Sequence, residues 1–276
     1  MTRTDLQKIL FLFNHENPTK YYEFLPYKYG CFSFLANQDL KTLTKYNLIH
    51  SEEYGWQINS NKSFIPELKA NDRIFLQHFY NKYKNYKGKE LIKFVYENFP
   101  YYATRSEIAA QIIDQSHLDI VKSLIPTSQH PSIFTIGYEG KSVEEYFNIL
   151  LKNSVDLLLD VRKNPLSMKY GFSKKQMKSI SEKMGIEYMH IPTLGIESSK
   201  RQKLETKEDY QELFEVYKKT VLIERKQDIN LIGTYFKKYR RVALTCFEKS
   251  ADFCHRKHVA ESIEKQQKFK YPLIHL

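Results

Sequence analysis

The segment Ile133-Phe134-Thr135-Ile136-Gly137-Tyr138-Glu139-Gly140-Lys141-Ser142-Val143-Glu144-Glu145 holds the end of one element and the start of the next. Ile133 to Ile136 is a short apolar run that stops at a glycine, which reads as a buried strand. Ser142 with Glu145 three residues on is a capping box, in which two unpaired amides at a helix start are satisfied reciprocally. The helix continues through Phe147, Leu150 and Leu151, and a second apolar run, Val155 to Val161, follows. Strand, helix and strand make one β-α-β unit, expected to be parallel and right-handed.

The alternation goes on downstream. A basic helix around Ser173–Lys183 ends at Gly185, as a helix should at a residue free to take positive φ. Ile186 to Ile191 reads as a third strand, residues 199–228 as charged helix, Val242 to Phe247 as a fourth strand, and a last helix begins near Ser250. Such an order predicts a Rossmann-like, mostly parallel α/β sheet with helices on both faces, over residues 131–276. A linker, Ile125 to Pro131, separates it from residues 1–125. There the spacing of Leu6, Ile9, Leu10 and Phe13 predicts a helix over 4–13. A second helix is expected over Asn37–Tyr46 and a hairpin around Glu53–Ile58. Further helical stretches are expected over 71–99 and 105–124. Helix, helix and hairpin is the outline of a winged-helix-like module, with Lys41, Lys45 and the wing placed to touch DNA. Such a module serves equally well for protein contacts. The run Lys82-Tyr83-Lys84-Asn85-Tyr86-Lys87 interleaves bases with rings, a pattern that can meet phosphates and stack on nucleobases.

With 43 Lys and Arg against 32 Asp and Glu, the chain carries a net charge of +11, which favours anionic partners. Nucleic acid is expected, DNA before RNA. No apolar stretch approaches the ~18 residues of a membrane span. Asp5, Gln7 and Lys8 interrupt any apolar run near the start, and three cysteines make no secreted disulfide framework. A cytoplasmic protein is therefore expected; the oligomeric state is not legible.

If the strands are parallel, their polar ends converge on one edge, where open α/β sheets bind ligands. Those ends are Tyr138 and Glu139, Asp160 and Arg162, His190, and Cys246 and Glu248 running into Cys254, His255 and Arg256. Asp160 and Glu248 are candidates for acid–base work or water activation. His190 and His255 are candidate proton carriers. Arg162 and Arg256 suit a phosphate, with Tyr138, Glu139 and Cys246 lining the substrate site. Asp160 and Arg162 flank Val161 and so share a face. No cofactor and no metal ligand set are predicted. Cys246 and Cys254 are eight residues apart, unlike the short spacing of structural zinc knuckles, and Cys254 with His258 four residues on is a lone pair. Asp160 and Glu248 together leave room for a divalent metal.

Five motifs carry a resemblance: Thr135 to Ser142, Asp160-Val161-Arg162-Lys163-Asn164-Pro165-Leu166-Ser167, Gly171-Phe172-Ser173-Lys174, Tyr188 to Gly195, and Cys246-Phe247-Glu248-Lys249 with Cys254-His255-Arg256. In that order they resemble the domain-of-unknown-function 488 family (DUF488) over roughly residues 133–260. The resemblance implies a Rossmann-like domain with Asp160, Arg162, Glu248, His255 and Arg256 at its site. Ile196 stands where the family more often has a second glycine. Tyr22 to Phe32 is similar, more weakly, to winged-helix modules fused to such domains or found in antitoxin-like proteins.

A nucleic-acid-directed enzyme is the expected function, hydrolysing a glycosidic or phosphoester bond, with base excision in DNA repair or phage defence as the leading case. The alternative is a non-catalytic nucleic-acid-binding regulator that senses a nucleotide-like ligand.

Overall fold

The computed structural model describes residues 1–59, 63–201, 204–267 and 271–276. The chain divides into two compact units, Met1–Ile125 and Pro126–Leu276. Among the described residues no helix is long and apolar enough to cross a membrane.

The first unit is mainly helical. A helix over Arg3–Glu16, capped by the Thr2 hydroxyl, precedes a tight hairpin of Leu25–Tyr27 with Gly30–Phe32. A helix over Phe34–Lys45, capped by Ser33, leads to a second hairpin, Ile49–Ser51 with Trp56–Ile58. The stretch expected to be helical over 71–99 is two helices, Ala70–Tyr83 and Gly88–Asn98. They part over residues 84–87, and Gly88, with a φ of +53°, opens the second helix. Residues 105–124 likewise resolve into Ala109–Ile112 and Gln115–Ser123, the latter capped by Asp114. The core is strongly aromatic. Phe11 sits edge-on to Phe24, Phe99 and Tyr102, and Phe79 packs on Phe13 and Tyr83. Tyr83 is thus a core ring whose hydroxyl bonds Glu16, and Tyr86 leans on Tyr83 and Phe94. The interleaved run of Lys82 to Lys87 therefore offers charges but spends these two rings on packing.

Lys8 is buried in this unit, donating from Nζ to the Cys31 carbonyl at 3.1 Å.

The second unit is an α/β sheet. Its elements are β1 (Ser132–Gly137), α1 (Val143–Lys152), β2 (Leu157–Asp160), α2 (Lys174–Lys183), β3 (Glu187–His190), α3 (Lys207–Lys219), α4 (Val221–Glu224), α5 (Lys226–Lys238), β4 (Arg241–Cys246), α6 (His255–Gln267) and β5 (Leu273–His275). The strand order is β3-β2-β4-β1-β5 and every pairing is parallel. The expected capping box is present, with Ser142 accepting from Glu145 N and Glu145 accepting from Ser142 N at 2.6 Å. The three inner strands β2, β4 and β1 are mainly apolar and buried along their whole length, as strands covered on both faces must be. Ile133, Leu157, Leu159, Val242 and Leu244 join one cluster with Phe214, Ile229, Ile232 and Val259 from the helices, while Phe134, Ile136 and Leu158, pointing the other way, are also fully buried. Each such side chain contributes about 1.5–3 kcal/mol. Ile196 joins the first cluster, so the position that departs from the family is filled by core packing. The charged stretch expected as one helix over 199–228 is a short 3-10 turn, Ser198–Arg201, followed by α3 and α4. Residues 202 and 203 within it lie outside the described residues. The outer strand β5 lacked a sequence signal, being only three residues long.

Gly137 ends β1 where the chain passes closest to the β4 loop; a Cβ there would lie 1.8 Å from the Glu248 carbonyl oxygen. Gly137→Ala must push that loop away. It is expected to destabilise the second unit by about 1–3 kcal/mol or more, read as a lower urea midpoint. In the first unit, burial holds the Lys8 ammonium below its ordinary pKa of 10.5, against the opposing pull of Cys31. The unfolded chain therefore binds the extra proton between the lowered value and 10.5, and stability should rise with pH across that window. Lys8→Met should remove the slope, measured by urea melts at several pH values.

Candidate functional site

The parallel registers set Gly137 opposite Cys246, and Asp160 opposite both Thr245 and His190. The ends of β1, β2, β3 and β4 are therefore level, and the polar residues that follow them gather along one edge of the sheet. Within that edge they form two groups with different environments.

The first group is a sealed ion pair. Asp160 is fully buried. Its Oδ1 accepts from Arg162 Nε at 2.8 Å and from Arg162 N at 3.1 Å; its Oδ2 accepts from Arg162 Nη2 at 2.6 Å and from the Tyr188 hydroxyl at 2.6 Å. Arg162 turns its remaining donor, Nη1, to the Tyr138 hydroxyl at 3.1 Å and the Phe172 carbonyl at 2.8 Å. Tyr138 stacks on Phe172 with centroids 4.4 Å apart and lies under the guanidinium. His190 Nε2 sits 2.9 Å from the Arg162 carbonyl. Burial alone would drive the guanidinium toward neutrality, but the bidentate contact with Asp160 more than reverses that and raises its pKa. Burial, and then the Asp160 charge, drives the Tyr188 phenol far above its ordinary value. These contacts correct three sequence expectations. Asp160 has no free oxygen with which to activate water, Arg162 has no free donor edge for a phosphate, and Tyr138 is a packed ring.

The second group surrounds Cys246 at the end of β4. Its sulfur lies 3.2 Å from Glu248 Oε2 and 3.8 Å from His255 Nδ1; the Cys254 sulfur lies 3.9 Å from the same nitrogen. His255 is fully buried, with Nε2 2.9 Å from the Val161 carbonyl. A carbonyl only accepts, so Nε2 carries the proton and Nδ1 faces the sulfurs. Arg201 reaches in from the 3-10 turn, with Nη2 2.7 Å from His255 Nδ1 and Nη1 on Glu248. Burial pushes the Cys246 thiol up, but the Cys254 hydrogen bond, His255 and Arg201 pull it well below its ordinary value. Burial, and then the neighbouring Cys246 charge, raises the Glu248 carboxyl against the pull of Arg201. Cys246, Cys254 and His255 are a possible ligand set, their ligand atoms all within 4.8 Å of one another. The histidine in that set is His255. His258, four residues past Cys254, instead contacts Glu261 and packs on Phe214.

Arg256 is almost wholly buried and ties down backbone, donating from Nη1 to the Glu248 carbonyl at 2.6 Å and from Nη2 to the Lys249 carbonyl at 3.0 Å. It shapes the loop and is not placed to hold a ligand. Glu139 Oε2 accepts from Lys249 N at 2.8 Å, fastening the β1 and β4 loops together. Among the described residues Asp160 and Glu248 share no partner: one is spent on Arg162 and Tyr188, the other on Arg201 and Cys246. A metal bridged between those two carboxylates therefore has no oxygens of Asp160 to hold it.

A cavity of about 860 Å³ opens beside the second group. Glu248 and Arg201 form part of its wall, with Lys141, Lys249 and Glu139 around them and Tyr210, Phe214, Phe247 and Phe253 supplying rings. Burial and the neighbouring Lys249 and Arg256 charges lower the Lys141 pKa. Arg201 had no signal in the sequence, lying in a charged stretch without pattern. Its role depends on a fold that brings it 54 residues back to His255.

Removing the Asp160 charge leaves the Arg162 guanidinium buried and uncompensated. Asp160→Asn is expected to cost about 3–5 kcal/mol in urea unfolding. Combining it with Arg162→Met should recover much of that, since the two residues act as one unit.

No curated protein and no solved structure matches the chain. Over residues 142–263, which include Asp160, Arg162 and the Cys246 group, the sequence matches a known family. The family whose model matches this stretch of the C-terminal half is described as Domain of unknown function DUF488.

Proposed function

We propose that the C-terminal unit is a hydrolytic enzyme acting on nucleic acid, DNA in preference to RNA, and that it cleaves a glycosidic or phosphoester bond, with base excision the foremost case. The observation that carries this reading is the cavity beside Glu248, which combines rings, cations and one half-hidden carboxylate. A nucleotide turned out of its strand presents a flat π-face and a phosphate. Phe247 and Phe253, each more than a third exposed, suit the first, and Lys141 and Lys249 suit the second. Glu248 is the carboxylate that would exchange the proton at the scissile bond, with Arg201 holding it in place. The net charge of +11 supports strand binding in general. In the first unit, exposed Lys41 and Lys45 on the helix over Phe34–Lys45, and the hairpin after it, are the winged-helix-like surface that would hold a strand.

Labelled single- and double-stranded DNA incubated with the protein, with and without mild alkali, tests the reading. Alkali-dependent breaks are expected for a base-excising enzyme and direct breaks for a phosphoesterase. Glu248→Gln should lower either rate by ~10²–10⁴-fold. Replacing Lys141 and Lys249 by Ala should reduce the salt dependence of binding by roughly one unit of slope each. Bound but intact DNA in every condition would leave a regulator sensing a nucleotide-like ligand. Absence of binding at low salt, where electrostatic affinity is greatest, would remove both readings.

A further inference from the structure

The buried sulfurs at the end of β4 are not explained by packing alone. Cys246 and Cys254 come from opposite sides of a turn, the 3-10 segment Ala251–Phe253, and meet at His255. An ordinary buried cysteine is a small apolar residue that needs no polar partner. Here both sulfurs face the lone-pair side of an imidazole whose other nitrogen is anchored on the Val161 carbonyl at 2.9 Å. Anchoring one ring nitrogen on a carbonyl to aim the other is how proteins orient a metal-binding histidine.

We propose that Cys246, Cys254 and His255 form a binding site for a borderline-soft divalent metal of the zinc class. A zinc ion about 2.3 Å from a sulfur and about 2.0 Å from a ring nitrogen, at tetrahedral angles, sets the two ligand atoms about 3.5 Å apart. The observed sulfur–nitrogen separations are 3.8 and 3.9 Å, a few tenths of an ångström wider, and the three ligand atoms all lie within 4.8 Å of one another. Two thiolates and one imidazole fill three of the four tetrahedral positions such an ion takes. Arg201, whose guanidinium lies 2.7 Å from His255 Nδ1, holds a positive charge where the ion would sit. Metal binding displaces that contact, and Arg201 keeps its bond to Glu248 on the cavity wall. Burial argues against the other use of a thiolate. Cys246 and Cys254 are each 1% exposed, too deep to attack a molecule in the cavity directly. A metal needs only to be enclosed. The site stands whether or not the substrate is nucleic acid.

Cobalt(II) is the probe. Reduced, chelator-stripped protein titrated with cobalt(II) should develop a near-ultraviolet thiolate-to-cobalt band that saturates at one ion per chain and is abolished by zinc(II). Cys31 is the one other cysteine and lies in the first unit, so Cys31→Ala should keep the band unchanged. Cys254→Ala and His255→Ala should lose it. Arg201→Gln, which removes the competing charge, should move the titration midpoint to lower cobalt concentration. No band in the wild-type chain overturns the proposal, and that titration needs no variant to fold. A band that survives Cys246→Ala with Cys254→Ala, or that vanishes in Cys31→Ala, overturns it too. A midpoint that stays put or rises in Arg201→Gln overturns the displacement of Arg201.

Discussion

A carboxylate wholly withdrawn from water needs a positive partner, and Asp160 finds one two residues along its own chain. Asp160 and Arg162 flank Val161, so both side chains leave the strand end on the same side and close into a bidentate pair. Once the pair is buried, each remaining hydrogen-bonding position must also be filled, because an unmet group at that depth costs about 1–3 kcal/mol. Tyr188 from β3, Tyr138 from the β1 end and the Phe172 carbonyl fill them. One ion pair thereby fixes the relative height of three strand ends and the loop that carries Phe172. Whatever this edge of the sheet does, it does on a frame set by that pair.

The same short segment governs the second group. Val161, between the paired residues, offers its carbonyl to His255 and so determines which nitrogen of that ring faces Cys246 and Cys254. Arg256, the next residue, pins the backbone of Glu248 and Lys249, and Gly137 lets β1 pass close beneath them. Buried side chains hold the loops that present Glu248, Lys249 and Phe247 to the cavity. The charged motif residues thus divide by depth. Those sealed in the sheet edge position others, and those on the cavity wall border its open space.

Depth also separates two kinds of polar residue that look alike in the sequence. Arg162 is buried and saturated by protein acceptors and Arg256 is buried against two backbone carbonyls, whereas Arg201 is partly exposed and bridges the sulfur cluster to the cavity. In the first unit, Tyr83 and Tyr86 sit among lysines yet serve the aromatic core. Neither the residue type nor its neighbours in sequence could distinguish these cases.

Much of the architecture was legible before folding. The capping box at Ser142, the glycine after α2 and the short apolar runs at β1, β2, β3 and β4 are local signals, each written within a few residues, and their alternation required a parallel sheet with its strand ends on one edge. That is why the gathering of Asp160, His190, Cys246 and Glu248 along that edge could be anticipated, and why β5, three residues long, could not. The tertiary structure alone decided which of those residues touch. Cys246 and Cys254 look too far apart for ligands until the turn between them folds back, Arg201 is anonymous until it meets Glu248 and His255, and Asp160 reads as a catalytic acid until Arg162 and Tyr188 close over it. Periodicity and capping act between near neighbours in the chain, whereas burial and pairing depend on segments that only packing brings together.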